Sequence, residues 1–503
     1  MSISSISASS MSYAGKFRRG VAWSTLGSVG NNLVSFLVFA LVVRVVEPRV
    51  IGVMAVALIF VEMGKIFVYA GVPDLIVRQK VWSDGFAMMC FWLNLAAAAI
   101  TALLVVGIVG PLVDIYFAQG TVLVLAVLSS CFIIDSVRVV PEARLRRDLD
   151  FKTLARRGVG ANVLSGILGV AMALTGWGIW ALVAQRICSS LLTTVFTLVA
   201  ARWVPTTWGS VEGLWSVIGH SVGLVGAALL KLLSERLPDL MLGLALGPVP
   251  VAVFRVGSRG FDALVQLTIN PVRSTSLSAY AQRAHSGRLG ESVINSLAVI
   301  SMLTFPLFFG AASVARPFVV LIFGEQWRSS AVIMQVLCMA SPPLLLGAML
   351  QSALSANHDT KLIFGLNAVA AATTFVTLLV CVPLFGLVGA TVALAIRSYL
   401  GMIFNIAVTS PVIGMRPWPV IVVLLPALAG SAVTLTSVLA LDRYTLSGYP
   451  EIIALGISVA FGAVLYLLIM VVIFRDHTMQ YMGDWLGKLP KLPKLTLVLH
   501  VNR

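Results

Sequence analysis

Apolar runs of about 20 residues follow one another along most of the 503-residue chain, separated by short polar stretches. A helix needs about 20 apolar residues to cross roughly 30 Å of hydrocarbon. The pattern therefore predicts about fourteen transmembrane helices, centred near residues 32, 61, 98, 130, 167, 190, 223, 261, 304, 340, 372, 397, 429 and 462. We expect an all-α, polytopic membrane protein with no room for a soluble domain.

The composition agrees with this pattern. Hydrophobic residues make up 59% of the chain, charged residues 11%, and the mean hydropathy is +0.99, whereas soluble domains contain about 25% charged residues. The apolar run after Lys16, Arg18 and Arg19 is too long for a signal-peptide core, so we expect it to remain as the first span. The five cysteines lie in proposed spans without CxxC spacing, and the histidines are scattered. The sequence therefore predicts no disulfide, no metal site, no cofactor and no enzyme activity.

The location of the basic residues predicts the topology. The net charge is +15, and 23 of the 35 Lys and Arg residues fall on alternate segments that would share one side of the membrane, against 6 on the other side. Cytoplasmic loops are enriched in Lys and Arg. We therefore expect both termini and the basic loop at residues 138–157 to be cytoplasmic, and we expect no nucleic-acid partner.

Two parts of the chain resemble each other at a shift of 200 residues. The segment "VVEPRVIGVMAVA" aligns with "ALGPVPVAVFRVG", which places Pro48 over Pro248 and, further on, Glu62 over Asp262. A second similarity joins "TGWGIWALVAQR" and "PLFGLVGATVALAIR", because each has a Gly-rich turn, a small-residue helix and then an Arg. Six spans per copy is an even number, so the copies would share one orientation about an axis along the membrane normal.

The repeat predicts a domain organisation of two six-helix lobes, related by pseudo-twofold symmetry, around a central cavity. The predicted domains are residues 1–205 and 206–412 for the lobes, 413–475 for two additional transmembrane helices, and 476–503 for a basic cytoplasmic tail.

Charged residues inside apolar segments are the candidate functional residues. Arg255, Arg259, Asp262 and Gln266 lie three or four residues apart, so a helix would place them on one stripe. An ionised group at the bilayer centre costs at least roughly 2.5–3.5 kcal/mol, so it normally faces a partner or a watery cavity. Two arginines beside one acid favour an anionic ligand, since guanidinium groups bind phosphate oxygens bidentately. Pairing with acids or carbonyls on other helices is the alternative.

Further polar residues inside the spans extend this set. Arg186 and Arg397 have no acid nearby in the sequence, and Asn31 lies on a polar face of the first helix that would either line the cavity or pack against another helix. Glu62 and Asp262 are candidates for proton or sodium coupling. Three local charge pairs would also neutralise themselves, namely Glu62 with Lys65, Asp135 with Arg138, and Lys231 with Glu235.

The segment "PEARLRRDLDFKTLARRGVGANVLSG", followed by "GWGIWALV", resembles the signature of bacterial polysaccharide flippases. These flippases belong to the multidrug/oligosaccharidyl-lipid/polysaccharide exporter superfamily, and the similarity is greatest to the branch containing the rhizobial succinoglycan transport protein. The "EPRVIGVMAVA" turn and "PLFGLVGATVALA" extend the resemblance over most of the chain.

The resemblance implies two six-helix lobes in a V and a flippase that moves an undecaprenyl-diphosphate-linked oligosaccharide repeat unit across the bacterial inner membrane for exopolysaccharide synthesis. It also implies membrane lipids, a polysaccharide polymerase and export machinery as partners, and a cationic cavity that Arg255, Arg259, Arg186 and Arg397 would supply. Two alternatives remain. A multidrug or cation antiporter of the same superfamily would share the fold but need acidic, aromatic sites, and a membrane polysaccharide polymerase or ligase would need a large external loop.

Overall fold

Every regular element in the described part of the chain is helical, which confirms the all-α prediction. The structure, a computed structural model, describes residues 3–69, 72–78, 82–117, 120–205, 214–283, 288–446 and 448–486. The chain divides into two units, Met1–Ala252 and Val253–Arg503. The lobe and tail boundaries at residues 205, 412 and 475 stay a prediction.

In the residues that the structure describes, unit 1 contains nine α-helices and the first turn of a tenth. They are α1 Ile3–Val45, α2 Pro48–Tyr69, α3 Val72–Arg78, α4 Asp84–Leu104, α5 Gly110–Tyr116, α6 Thr121–Arg147, α7 Phe151–Leu174, α8 Ile179–Ala201, α9 Leu214–Leu246 and the start of α10 Pro248–Leu267. Helix α6 packs against α2, α4 and α8, while α7 packs between α1 and α8. Helix α6 is therefore the centre of this unit.

The described part of unit 2 contains the rest of α10 and nine more α-helices. They are α11 Ile269–Arg283, α12 Leu289–Ser313, α13 Ala315–Phe323, α14 Ser330–Met339, α15 Ser341–Ala356, α16 Thr360–Val412, α17 Pro417–Leu441, α18 Glu451–Leu468 and α19 Arg475–Leu486. Helix α15 packs against α11, α12 and α16, and α12 packs against α17.

Ten helical stretches of the described chain are long and apolar enough to cross a membrane, or eleven if the bent pair α14 and α15 crosses as one span. The protein is therefore a multi-pass membrane protein. Helix α16 counts once in that number although Gly386, at φ 58° and ψ −136°, interrupts its helical backbone. The count of fourteen spans stays a prediction.

Local sequence explains where these helices start and how closely they pack. Helices α2, α10 and α17 begin at a proline, which suits the first helical position because its missing N–H would have no partner there. Gly27 of α1 faces the backbone of Ala155 on α7, and a Cβ at position 27 would collide with it. Small residues permit such close approach between membrane helices.

Two pairs of turns have matching backbones in the two units. Asp148, Leu149 and Asp150 join α6 to α7, with Leu149 at φ 59°. Residues 357–359 join α15 to α16 with His358 at φ 62° and the same three backbone hydrogen bonds. Gly178, at φ 52° and ψ −122°, likewise matches Gly386. These matches lie about 208 residues apart, close to the shift read from the sequence, and they support a duplicated fold.

Candidate functional site

The most extensive group of buried charges in unit 1 lies where α6 meets α2, α7 and α8. Asp135 of α6 is buried and forms an ion pair with Lys65 of α2. Its Oδ1 also accepts hydrogen bonds from Arg138 Nε at 3.2 Å and from Ser190 Oγ at 2.6 Å. The predicted pairing of Asp135 with Arg138 is thus confirmed. A buried carboxylate is stabilised when charged partners and hydrogen bonds replace its water.

Glu142 extends this network and lies one turn beyond Arg138 on α6. Its Oε2 lies 2.9 Å from Arg138 Nη1 and 2.8 Å from Arg157 Nη2, and its Oε1 lies 2.7 Å from Arg146 Nη2. Arg157 of α7 is buried and also donates to Thr197 of α8. One carboxylate therefore joins three guanidinium groups from two helices.

Sequence reasoning assigned Arg138, Arg146 and Arg157 to a cytoplasmic loop and so missed this network. The signal was present, because Asp135, Arg138 and Glu142 lie three and four residues apart and share one helical face. Helix α6 extends to Arg147, beyond the predicted span.

Glu62 has a different partner from the one predicted. Arg236 of α9 donates to Glu62 Oε2 from Nη2 at 2.8 Å and from Nε at 3.0 Å. The predicted pairing of Glu62 with Lys65 is wrong, because Lys65 pairs with Asp135 instead. Glu62 and Lys65 each form an ion pair with a side chain on another helix and not with each other. The predicted pair of Lys231 with Glu235 is present, at 3.9 Å on an exposed surface.

Arg186 of α8 lies beside the Asp135 network, close enough to interact electrostatically with Lys65 and Tyr69. Its Nε is buried, with no hydrogen-bond partner among the described residues. Asn31 of α1 accepts a hydrogen bond from Asn162 Nδ2 of α7 at 2.6 Å. In this structure Asn31 therefore joins two helices of unit 1.

The stripe predicted from the sequence lies on α10 in unit 2. Arg255 and Arg259 are half-buried, and Asp262 and Gln266 are exposed. Arg259 is within electrostatic range of both Arg255 and Asp262. Gly257 and Gly260, on another face of α10, contact Ile333 and Met334 of α14, so the helix packs through its glycines.

Polar side chains extend this stripe onto neighbouring helices. Asn270 Nδ2 donates to Gln266 Oε1 at 3.0 Å. Arg273 donates through Nη2 to Gln351 Oε1 of α15, and Gln351 Nε2 donates to Asn367 Oδ1 of α16 at 3.4 Å. Sequence reasoning did not find Gln351 and Asn367, because neither is charged: Gln351 is followed by another small polar residue, Ser352, and Asn367 lies alone in an apolar run.

Arg397 lies on α16, beyond Gly386. Its Nη2 donates to Ser398 Oγ at 3.4 Å, and its Nε is buried without a hydrogen-bond partner in the described chain. The predicted arginines therefore divide between the units, with Arg186 in unit 1 and Arg255, Arg259 and Arg397 in unit 2.

None of the described residues form a cluster of three or more His, Cys, Asp or Glu side chains that could hold a metal ion. The cysteines at positions 90, 131, 188, 338 and 381 are free.

Comparison with solved structures identifies the class of fold. The structure of the lipid II flippase MurJ in its inward closed conformation matches 92% of this chain and 99% of its own length, with a TM-score of 0.73 and 13% identity. An inward-facing multidrug resistance MATE family transporter of the MOP superfamily matches 78% of this chain and 94% of its own, with a TM-score of 0.54 and 15% identity. These likenesses show that the chain has the MurJ and MATE transporter fold.

Sequence comparison identifies the family. The model of the polysaccharide biosynthesis protein family matches residues 41–332, more than half of the chain. The chain belongs to this family, and the resemblance read from the sequence is confirmed.

Curated relatives agree with the family assignment. The succinoglycan biosynthesis transport protein ExoT of Rhizobium meliloti is 24% identical over 323 residues, which are 64% of this chain and 65% of ExoT. The chain thus spans about two thirds of ExoT. The lipopolysaccharide biosynthesis protein WzxC of Escherichia coli is 21% identical over 413 residues, which are 80% of this chain and 83% of WzxC.

Proposed function

We propose that this protein is a non-enzymatic flippase that moves a polyprenyl-diphosphate-linked oligosaccharide repeat unit across the bacterial inner membrane during exopolysaccharide synthesis. The observation that carries the proposal is the α10 stripe, which places Arg255 and Arg259 on one helical face with Asp262 and Gln266, in a chain with the MurJ fold. The similarity to ExoT, a succinoglycan biosynthesis transport protein, and to WzxC, a lipopolysaccharide biosynthesis protein, supports a substrate from polysaccharide assembly. A polysaccharide polymerase and export machinery would receive the product.

The roles of the arginines follow from their chemistry. Arg255 and Arg259 would hold the diphosphate, because planar guanidinium groups each bind two phosphate oxygens. Arg186 and Arg397 would bias its movement, since each is a positive charge inside an apolar segment with no acid nearby in the sequence. With the cytoplasm negative, outward movement of each uncompensated anionic charge is favoured by roughly 2.3 kcal/mol per 100 mV.

Glu62 and Asp262 would bind a coupling proton or sodium ion. Glu62 is half-buried and held by Arg236, so a bound cation would have to displace that arginine. Asp262 is exposed beside Arg259. Coupling at Asp262 would therefore change the charge beside the proposed phosphate site.

The test is transport by the purified full-length protein in liposomes. The substrate is a fluorescent undecaprenyl-diphosphate-linked oligosaccharide, and a membrane-impermeant quencher reports how much crosses the bilayer. We expect transport by the wild type and at least a tenfold loss in Arg255→Gln/Arg259→Gln, because a charge-assisted hydrogen bond contributes about 1.5–3 kcal/mol. The matched control is Arg328→Gln, an exposed arginine paired with Glu325.

Two outcomes would contradict the proposal. A wild-type protein that exchanges organic cations but leaves the lipid in place would be an antiporter. Transport that persists in a folded Arg255→Gln/Arg259→Gln protein would remove the stripe from the mechanism.

A further inference from the structure

Five polar side chains form a band across four helices of unit 2, which we call the amide row. Its members are Gln266 of α10, Asn270 and Arg273 of α11, Gln351 of α15 and Asn367 of α16. The hydrogen bonds described above link Gln266 to Asn270, and link Arg273 through Gln351 to Asn367. Helices α11, α15 and α16 pack side by side, and Ser352 also fastens α15 to α11 by donating to the Arg273 carbonyl at 3.2 Å.

The amide row lies near the loop that joins α15 to α16. Gln351 precedes the end of α15 at Ala356 by five residues, and Asn367 follows the start of α16 at Thr360 by seven. At 1.5 Å per residue, both side chains lie about 8–11 Å from the helix ends. Under the predicted topology this end is cytoplasmic, so the row would lie where a substrate enters.

The side chains of the row are too polar to face lipid. Asn270, Arg273 and Asn367 are exposed in this unit, and Gln351 is half-buried. A polar amide without hydrogen bonds in an apolar medium costs several kcal/mol. The row therefore faces water, protein or a polar ligand.

The row keeps hydrogen-bonding capacity beyond its internal bonds. A carboxamide has two N–H donors and one carbonyl acceptor. Among the described contacts, Asn367 uses its carbonyl and Asn270 uses one N–H donor. Both donors of Asn367 and the carbonyl of Asn270 can therefore bind a ligand.

The mixture of groups identifies the class of ligand. Phosphate needs donors only, and a cation is disfavoured because the row contains the positive charge of Arg273 and no carboxylate. Sugar hydroxyls both donate and accept, and they match neighbouring amides and a guanidinium group. We propose that the amide row binds the sugar hydroxyls of the lipid-linked oligosaccharide and so discriminates substrates by their sugar part. This proposal rests on the proposed flippase function.

The experiment compares two substrates in the liposome assay. One is undecaprenyl diphosphate carrying the full repeat unit, and the other carries a single sugar. In Asn270→Leu/Asn367→Leu we expect the ratio of full-repeat to single-sugar transport to fall about tenfold, as expected for the loss of one or two hydrogen bonds. The matched control is Asn405→Leu, since Asn405 donates to the Gly401 carbonyl of its own helix at 2.9 Å.

The outcomes separate this proposal from the proposed function. If the wild type moves neither lipid, both fail. If the wild type moves both and the ratio in the variant is unchanged, only the amide row proposal fails, and the row serves helix packing. Asn270→Ser/Asn367→Ser retains small polar side chains, so it serves as a second variant in case the leucine variant fails to fold. An intermediate fall in the same ratio supports the proposal, and an unchanged ratio overturns it.

Discussion

Substitution of Arg259 is the most direct test of the proposed phosphate site. We expect Arg259→Gln to stop export of the polymer while the protein stays in the membrane, because the lost interaction is with the ligand. Arg259→Lys should restore export only partly, since lysine keeps the charge and loses the planar fork. The paired measurement is protein abundance in the membrane and the amount of lipid-linked repeat unit left on the cytoplasmic leaflet. If Arg259→Gln disappears from the membrane, the arginine is structural.

We expect Glu142, in contrast to Arg259, to be needed for the stability of the protein. Glu142→Gln leaves Arg138, Arg146 and Arg157 without their shared carboxylate. Removing one partner of a buried ion pair costs about 3–5 kcal/mol, so we expect a large fall in thermal stability and in abundance.

A second substitution tests the cause of that fall. Adding Arg157→Gln to Glu142→Gln should recover part of the stability, because it removes one buried charge. Glu325→Gln, which breaks the exposed pair with Arg328, should leave the melting temperature unchanged. A fall with Glu325→Gln as large as that with Glu142→Gln would contradict the assigned role of burial.

The sequence predicts pairs within one helix better than pairs between helices. Asp135 and Arg138 are one turn apart, and they do interact. Glu62 and Lys65 have similar spacing, yet each binds a residue on another helix. Periodicity gives the face on which a side chain lies, but the partner depends on which helices pack there. The stripe of Arg255 and Arg259 could be predicted because its residues are close in the sequence. Gln351 and Asn367 could not be predicted, because their hydrogen-bond partners lie on other helices.

The turn between α15 and α16 contains a residue, His358, whose backbone conformation is strained. His358 is exposed and has φ 62°, a conformation that costs a residue with a Cβ atom roughly 1 kcal/mol. We expect His358→Gly to raise the free energy of unfolding by at most about 1 kcal/mol, because the relieved strain exceeds the extra conformational entropy that glycine gives the unfolded chain. Thermal unfolding in detergent measures the change. Asn357→Gly should lower stability, because Asn357 has φ −87°. A loss with His358→Gly would show that its side chain contributes more than its backbone costs.

The sequence predicts the helices well but not their interruptions. The long apolar runs became helices because apolar length alone decides whether a segment spans the bilayer. The bend of 48° between α14 and α15 was not predicted. Neither was the π-helical turn Val105–Val109 that precedes α5. Such breaks depend on which carbonyl groups neighbouring helices satisfy, and hydropathy contains no information about that.

At the scale of the whole molecule, duplication is the feature that the sequence and the structure both support. The 200-residue shift aligns Pro48 with Pro248, and both residues begin helices. The matching turns at Leu149 and His358 lie 209 residues apart, so nine extra residues separate the two similarities in the second copy. The backbone conformations of these turns indicate the repeat more clearly than the side chains do, because a backbone conformation is retained when the sequence changes. The equivalence of Glu62 and Asp262 stays a prediction.

The topology decides which side of the membrane the amide row faces. The loop at Asp148 and the turn at Trp177 lie at opposite ends of α7, about 36 Å apart for a helix of 24 residues. In a background with the half-buried Cys188 and Cys381 replaced by Ser, we expect Trp177→Cys to react with a membrane-impermeant maleimide in intact cells. Asp148→Cys should react only after permeabilisation, because its loop is the most basic of the chain. The reverse pattern would place the loops at Asp148 and His358 outside, and the amide row would then meet the sugar as it leaves the membrane.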